Sequence, residues 1–414
     1  MPDRRFRVLL VYSHPIQYSV PVLRQMAKHP RLDIQVAYCS MHGVEPGLDP
    51  EFGVEVKWDV PLLDGYPWVY VRNRSPRPVL LRFFGLINPG LWKLVRTGHY
   101  DAVFFLTGYY YLSFWIVAAA ARLSGVPLLG GSDAYNLGGA DPKWWKSLVK
   151  RFCLPLVYRV YRVVVVSSNS TRQFVASLGM PRERIISIRD GFDVGWWARE
   201  ADRSDRRETR ARWGVSADSP VILFCAKLTP RKRPQDVLRA FARTVDGTDC
   251  SLIFAGDGPM RNELEAEARA LGVSGRVVFC GFVNQSHLPA LFRASDLFVL
   301  SSEWDGGPLV VGESMSCGCP VVLSDAIPGR FELVRHGETG FIYPCGNVDA
   351  LASILRQALP DAALLKKLST SASELIKTWS IPAFVEAFVN IISQLVGTRG
   401  AHVDEQQSWD RTTA

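Results

Sequence analysis

The feature that most narrows the fold of this chain is a unit that recurs along it. A run of apolar residues is followed by a short turn of small or polar residues, then by apolar positions returning with helical spacing. Arg7 to Tyr12, the turn Ser13-His14-Pro15 and Val20 to Ala27 make the first such unit. Leu32 to Tyr38, Ala102 to Leu106, Pro127 to Leu129 and Val163 to Ser167 begin others in the first half. Pro220 to Ala226, Ser251 to Ala255, Arg276 to Cys280, Asp296 to Leu300 and Pro320 to Leu323 do so in the second. Apolar strands alternating with helices form parallel sheets, because the helical crossovers cover both faces. At 414 residues the chain exceeds a single core, so two α/β domains are expected.

Composition removes several classes. With 48% hydrophobic and 21% charged residues the chain is globular. No apolar run reaches the roughly 18 residues of a membrane span, and Phe114 to Leu123 reads as a buried helix. The amino terminus runs from MPDRRFR straight into a strand, without the small-residue cleavage site of a secretory signal. A cytoplasmic protein is therefore expected, with room for contact at the inner face of the cell membrane. The excess of eight positive charges suits phosphate-bearing ligands or an anionic membrane. No aromatic-basic module points to nucleic acid. Eight scattered cysteines lack metal or redox spacing and read as reduced structural thiols. No G-x-G-x-x-G follows the first strand, which argues against a dinucleotide enzyme.

The functional signals converge on Asp305 to Val322, DGGPLVVGESMSCGCPVV. Leu309 to Met315 read as one helix, stopped by the Gly and Pro of CGCP. Asp305, Gly306, Gly307 and Pro308 then form a loop at a strand's carboxyl end that enters a helix N-terminus at Leu309. Ligands of open α/β sheets bind at such places, and the unpaired amides there favour an anion. Glu313 is either an ordinary exposed helical Glu or a carboxylate that accepts two hydroxyls of a sugar ring.

Other positions supply the remaining candidates. Lys227 at a strand end and Lys232 on the following loop bring two point charges to one place, which is what a diphosphate needs in order to bind and leave. Arg231 and Arg233 beside them read as solvated loop charges. Asp133, in GGSDAYNLGG, either orients an acceptor hydroxyl and takes its proton or bonds its own turn. His14 either touches acceptor or phosphate or belongs to a rigid turn. Two basic aromatic stretches, Arg72 to Arg96 and Lys143 to Arg162, read as helices lying on an anionic membrane or as helices with a solvated charged face. The polar stretch Trp197 to Arg212 reads as part helix, part linker.

These motifs together resemble the retaining glycosyltransferases of family 4. Asp305 and Glu313, with seven residues between and a small-CG-P-V-V run after them, match its acidic signature, though Glu is more usual at the first position. Lys227 and Lys232 match its basic spacing, and Gly256 and Gly258 stand at its G-x-G segment beside the donor. Phe282 and Val283 stand where the family holds the nucleobase, and the other reading of Phe282 is a buried core residue. IISIRDGFD, Ile185 to Asp193, resembles the turn that closes the first domain, with Asp190 in place of Asn. Ser132 and Asp133 occupy the strand end where many members carry a His.

The resemblance implies the GT-B arrangement, two facing Rossmann-like domains with a cleft between. Residues 1–195 and a returning helix, 382–397, would bind acceptor; residues 196–381 would bind donor; 398–414 would be a polar tail. It implies transfer of a hexose from a nucleotide-diphosphate sugar, with retention, to a glycan or lipid-linked acceptor. Glu313 would hold the ribose and Asp305 would lie beside the donor sugar. Lys227, Lys232 and the helix start at Pro308 would neutralise the departing diphosphate, with no metal and no cofactor beyond the donor substrate. Two other readings share the architecture: a sugar-nucleotide epimerase or phosphorylase, and a catalytically weak scaffold partner of another transferase.

Overall fold

The computed structural model describes residues 4–48, 53–78, 82–137, 144–245 and 249–397. Two sheets dominate it, each parallel throughout. The first holds, in spatial order, Trp68–Tyr70, Leu32–Tyr38, Phe6–Tyr12, Ala102–Phe105, Leu128–Ser132, Val163–Val166 and Ile185–Ser187. The second holds Val277–Gly281, Ser251–Ala255, Val221–Cys225, Leu297–Leu300, Val321–Ser324 and Gly340–Tyr343. Both follow the order third-second-first-fourth, so in each the direction of winding reverses between the first and fourth strands. The crevice beyond those two carboxyl ends is where such sheets bind ligands. In the second sheet the strands leading into it are followed by Lys227 and Asp305; in the first, by His14 and Thr107.

The strands are apolar because both faces are covered. Leu9 and Val11 belong to one buried cluster while Val8 and Leu10 belong to the cluster on the opposite face. Ile381–Gly397 crosses back and lays Val385, Phe388, Val389 and Ile392 into the latter. Its Phe388 ring stacks on Phe104 at 5.5 Å. Each such side chain contributes on the order of 1.5–3 kcal/mol by burial, which ties this helix to the first domain.

Two expectations change here. Trp197 to Arg212 is not a linker: Val194–Asp202 and Arg206–Arg212 are helices built into the second domain. Arg210, buried, donates to the carbonyls of Ala294 (2.9 Å), Ala217 (2.7 Å) and Ser219 (2.9 Å) and pairs with Asp296 at 2.7 Å. A guanidinium with its donors so matched is tolerated inside. Arg72 to Arg96 is not one basic helix either. Among the described residues it holds a 3-10 turn, Phe83–Gly85, and all but the last residue of the short helix Gly90–Thr97. The proposed tail, 398–414, lies outside the described residues.

Candidate active site

Helix Leu309–Ser316 is seated by its own sequence. Gly312 lets it approach the turn that closes the first domain: a Cβ there would lie 2.3 Å from the Phe192 ring. Pro308 caps the start without a side-chain bond, and Leu309 N–H turns back to the Gly307 carbonyl at 2.8 Å. Gly256, at φ 148°, runs against the end of the neighbouring strand Val221–Cys225, where a Cβ would meet the Ala226 carbonyl oxygen at 2.0 Å. Only glycine fits there. Gly258, at φ 153°, is held the same way against Leu228, 2.6 Å from its carbonyl oxygen.

These elements enclose a cavity of about 510 Å³ between the domains. Lys227, Arg231 and Lys232 line it from one side, and Glu313 with Gly307, Pro308 and Leu309 from another. Gly256, Phe282 and Val283 close a third wall, and His14 reaches it from the first domain. Gly258 and Gly306 stand behind this lining, Gly306 packing on Asp133 and Trp304. The Lys232 ammonium pairs with the Asp305 carboxylate, and both side chains are 12% exposed. Arg231 is not a solvated charge. It donates to the Trp304 carbonyl at 3.2 Å, and its guanidinium lies 5.3 Å from the Trp304 ring centre. Arg233 is also engaged, bonding Asp236 at 2.6 Å and so turning away from the cavity.

The first domain clamps this loop. Tyr135 stacks on Trp304, 6.1 Å between centroids and 17° between planes. Trp58, also of the first domain, meets Phe282 edge-on at 5.7 Å, and Asn284 donates to the Lys57 carbonyl at 2.7 Å. None of these cross-domain partners carries a local sequence signal, because each pair is far apart in the chain. His14 Nδ1 shares a hydrogen bond with Ser13 Oγ at 2.9 Å, and its ring lies edge-on to His42 at 5.5 Å.

The acids cluster where donor and acceptor would meet. Glu313 is half-buried and lines both this cavity and its neighbour, so it is not an ordinary exposed helical Glu. Burial on a helix of small and apolar residues pushes its carboxyl up to about 8. Asp133 is pushed up to about 6, first by its setting deep in the cleft and then by the Asp305 charge. The residue is nonetheless exposed within the cleft. Asp190, bonded to Ser167, rises to about 7 through burial and the nearby Asp133. The rest of GGSDAYNLGG, Gly138 and Gly139, lies outside the described residues.

Comparison with known proteins agrees with this geometry. A family model described as Glycosyl transferases group 1 matches residues 205–375, and one described as Glycosyl transferase 4-like domain matches residues 22–191. The alpha-D-kanosaminyltransferase of Streptomyces kanamyceticus is 31% identical over 265 residues, covering 62% of this chain and 67% of that protein. The chain belongs to the group 1 glycosyltransferases. The N-acetyl-alpha-D-glucosaminyl L-malate synthase of Bacillus anthracis is 29% identical to this transferase over 212 residues, and the transferase spans only 54% of its length. Among solved structures, HepE of Anabaena in complex with UDP and glucose resembles the transferase with a TM-score of 0.72 at 20% identity, over 94% of this chain and 100% of that one. A glycosyltransferase of Rickettsia africae reaches 0.72 at 15% identity, over 95% and 99%. Likeness at such identities is one of fold, the GT-B arrangement of two facing Rossmann-like domains.

Proposed function

We propose that this transferase moves a hexose from a nucleoside-diphosphate sugar to a hydroxyl of a glycan or lipid-linked acceptor, retaining the anomeric configuration and using no metal. The observation that carries the reading is the convergence of Lys227, Arg231, Lys232 and the start of helix Leu309–Ser316 on one cavity. A diphosphate leaves with its charge developing ahead of attack, and cations fixed at that point stabilise it. UDP in the neighbouring HepE fold supports a uridine donor. Asp305, neutralised by Lys232, is a poor nucleophile, which favours attack from the face the leaving group departs. Asp133, elevated toward neutrality, suits the proton of the incoming hydroxyl.

The test is to incubate the protein with UDP, GDP and ADP sugars and mixed acceptor glycans, and to follow the anomeric signals by NMR. A glycoside with the donor's configuration, formed in the presence of a chelator, is the expected product. An epimerised donor without acceptor would overturn the transfer reading, and an inverted glycoside would overturn retention.

The acceptor side supports a peripheral membrane position. Helix Trp144–Val160 exposes Phe152 (70%) and Leu156 (60%), with Leu148 and Val149 beside them and Lys150, Arg151 and Arg159 on the same helix. That is the composition of an interfacial helix. No helix among the described residues is long and apolar enough to cross a membrane. The double variant Phe152→Glu, Leu156→Glu is expected to lower sedimentation with phosphatidylglycerol vesicles about tenfold, leaving turnover of a soluble acceptor unchanged. Equal sedimentation would refute the contact.

A further inference from the structure

The donor cavity has two chemically different ends. The strands beneath it run side by side in the order Val277–Gly281, Ser251–Ala255, Val221–Cys225 and Leu297–Leu300. Neighbouring strands lie about 4.8 Å apart, so their carboxyl ends span roughly 14 Å. Phe282 follows the first strand, Gly256 the second, Lys227 the third and Asp305 the fourth, and each of these residues lines the cavity. The cations therefore gather at one end, an aromatic ring stands at the other, and bare glycine backbone lies between. A diphosphate belongs at the charged end. That places the base of the same ligand against Phe282, since every base offers a π face to an aromatic side chain.

Trp58 joins Phe282 at that end, and it comes from the first domain. Both rings line the cavity, 5.7 Å apart and with 66° between their planes. They make a corner in which a flat ligand stacks on one ring and abuts the other. Trp58 is half-buried, and Gly43, at φ 87°, brings backbone against it: a Cβ there would lie 3.4 Å from the indole Cδ1.

The residues on either side of Trp58 are bonded to the second domain. Asn284 Nδ2 donates to the Lys57 carbonyl at 2.7 Å, and Asp59 N–H donates to Asn284 Oδ1 at 3.3 Å. The Ser286 hydroxyl donates to the Asp59 carboxylate, and so does Ser286 N–H, at 3.3 Å. Neither Asn284 nor Ser286 is among the described residues that line the cavity. Their bonds bracket the indole and fix it beside Phe282.

Resting on the transferase reading above, we infer that Trp58 is a donor-binding residue that holds the nucleobase together with Phe282. Asn284 is its positioning residue. The first domain thus takes part in recognising the base, at the far end of the cavity from the diphosphate cations.

The test titrates the full chain calorimetrically with UDP, GDP, ADP and inorganic pyrophosphate. The nucleotide that binds wild type most tightly is expected to bind Trp58→Ala about tenfold more weakly, the scale of one lost base–aromatic stack. Pyrophosphate affinity should stay within twofold, which also shows that the variant is folded. Trp58→Phe keeps a π face and should bind the nucleotide within threefold of wild type. Asn284→Ala should weaken the nucleotide about threefold, and should add nothing to Trp58→Ala because it acts through the indole. Unchanged nucleotide affinity in Trp58→Ala, or an equal loss of pyrophosphate, overturns the assignment of Trp58. Additive losses overturn that of Asn284. A wild type that binds nucleotide but not pyrophosphate removes the charged end from which the base was placed, and overturns the inference. Wild type that binds no nucleotide refutes the transferase reading and this one with it, whereas nucleotide binding indifferent to Trp58→Ala refutes only this one.

Discussion

Lys232→Ala is expected to lower kcat by about 10²–10³-fold, the cost of removing one preorganised group that stabilises transition-state charge. The expectation combines two effects. Lys232 lines the donor cavity as a nearly buried point charge, so its removal takes a cation from the departing diphosphate where water screens poorly. It also leaves the nearly buried Asp305 carboxylate without its ion-pair partner and close to the proposed phosphate position. A buried charge stripped of its partner is strongly unfavourable. The same unpaired Asp305 raises the proton affinity of Asp133 beyond its present elevation. The acid limb of the kcat/KM profile should therefore move to higher pH in the variant, a change that loss of binding alone does not produce. Lys232→Arg keeps the charge but spreads it over a planar fork, and should recover only part of the rate. The check is single-turnover kinetics at saturating donor. A kcat within threefold of wild type would show that Lys227 and the helix start carry the leaving group without Lys232.

What could be read from the residues alone follows the range of the interactions. Helix Leu309–Ser316 and its loop were legible because Gly306-Gly307-Pro308 and CGCP act on the backbone next to them. The alternation of strand and helix gave the parallel sheets for the same local reason, and the family resemblance added the facing arrangement. The engagement of Arg231 leaves no local mark in the sequence, because its partner, Trp304, is brought to it only when Val221–Cys225 and Leu297–Leu300 pair in the sheet. Arg210 was hidden for a like reason: the carbonyl of Ala294 that helps hold it lies 84 residues away. The stack of Tyr135 on Trp304 arises where the two domains meet, which no periodicity records. Glu313 was ambiguous in sequence, since a carboxylate on a helix is usually exposed; burial against the cleft decided it.

Glu313→Gln is expected to weaken UDP binding ten- to a hundredfold at pH 8, and by less at pH 6. With Glu313 proposed on the ribose, two hydroxyls donate to it, and bonds to a charged acceptor are worth roughly 1.5–3 kcal/mol. The free carboxyl titrates at about 8 because burial penalises its charge. At pH 6 it is protonated, and UDP must displace a proton to gain the ionised acceptor; at pH 8 about half the molecules are already ionised. Wild-type affinity should thus rise with pH relative to the variant, and the ionisation of UDP itself cancels in that comparison. Stability should move the other way. The folded protein holds a proton on Glu313 that the unfolded chain, titrating near 4.5, releases. This contribution is full below about 4.5 and is lost as pH rises through about 8. The Tm of Glu313→Gln relative to wild type should therefore increase between pH 5 and pH 8. Calorimetric Kd values and melting curves across that range make the check. Parallel pH profiles for both proteins would mean that Glu313 stays ionised in the free cleft and that its proton plays no part in donor binding.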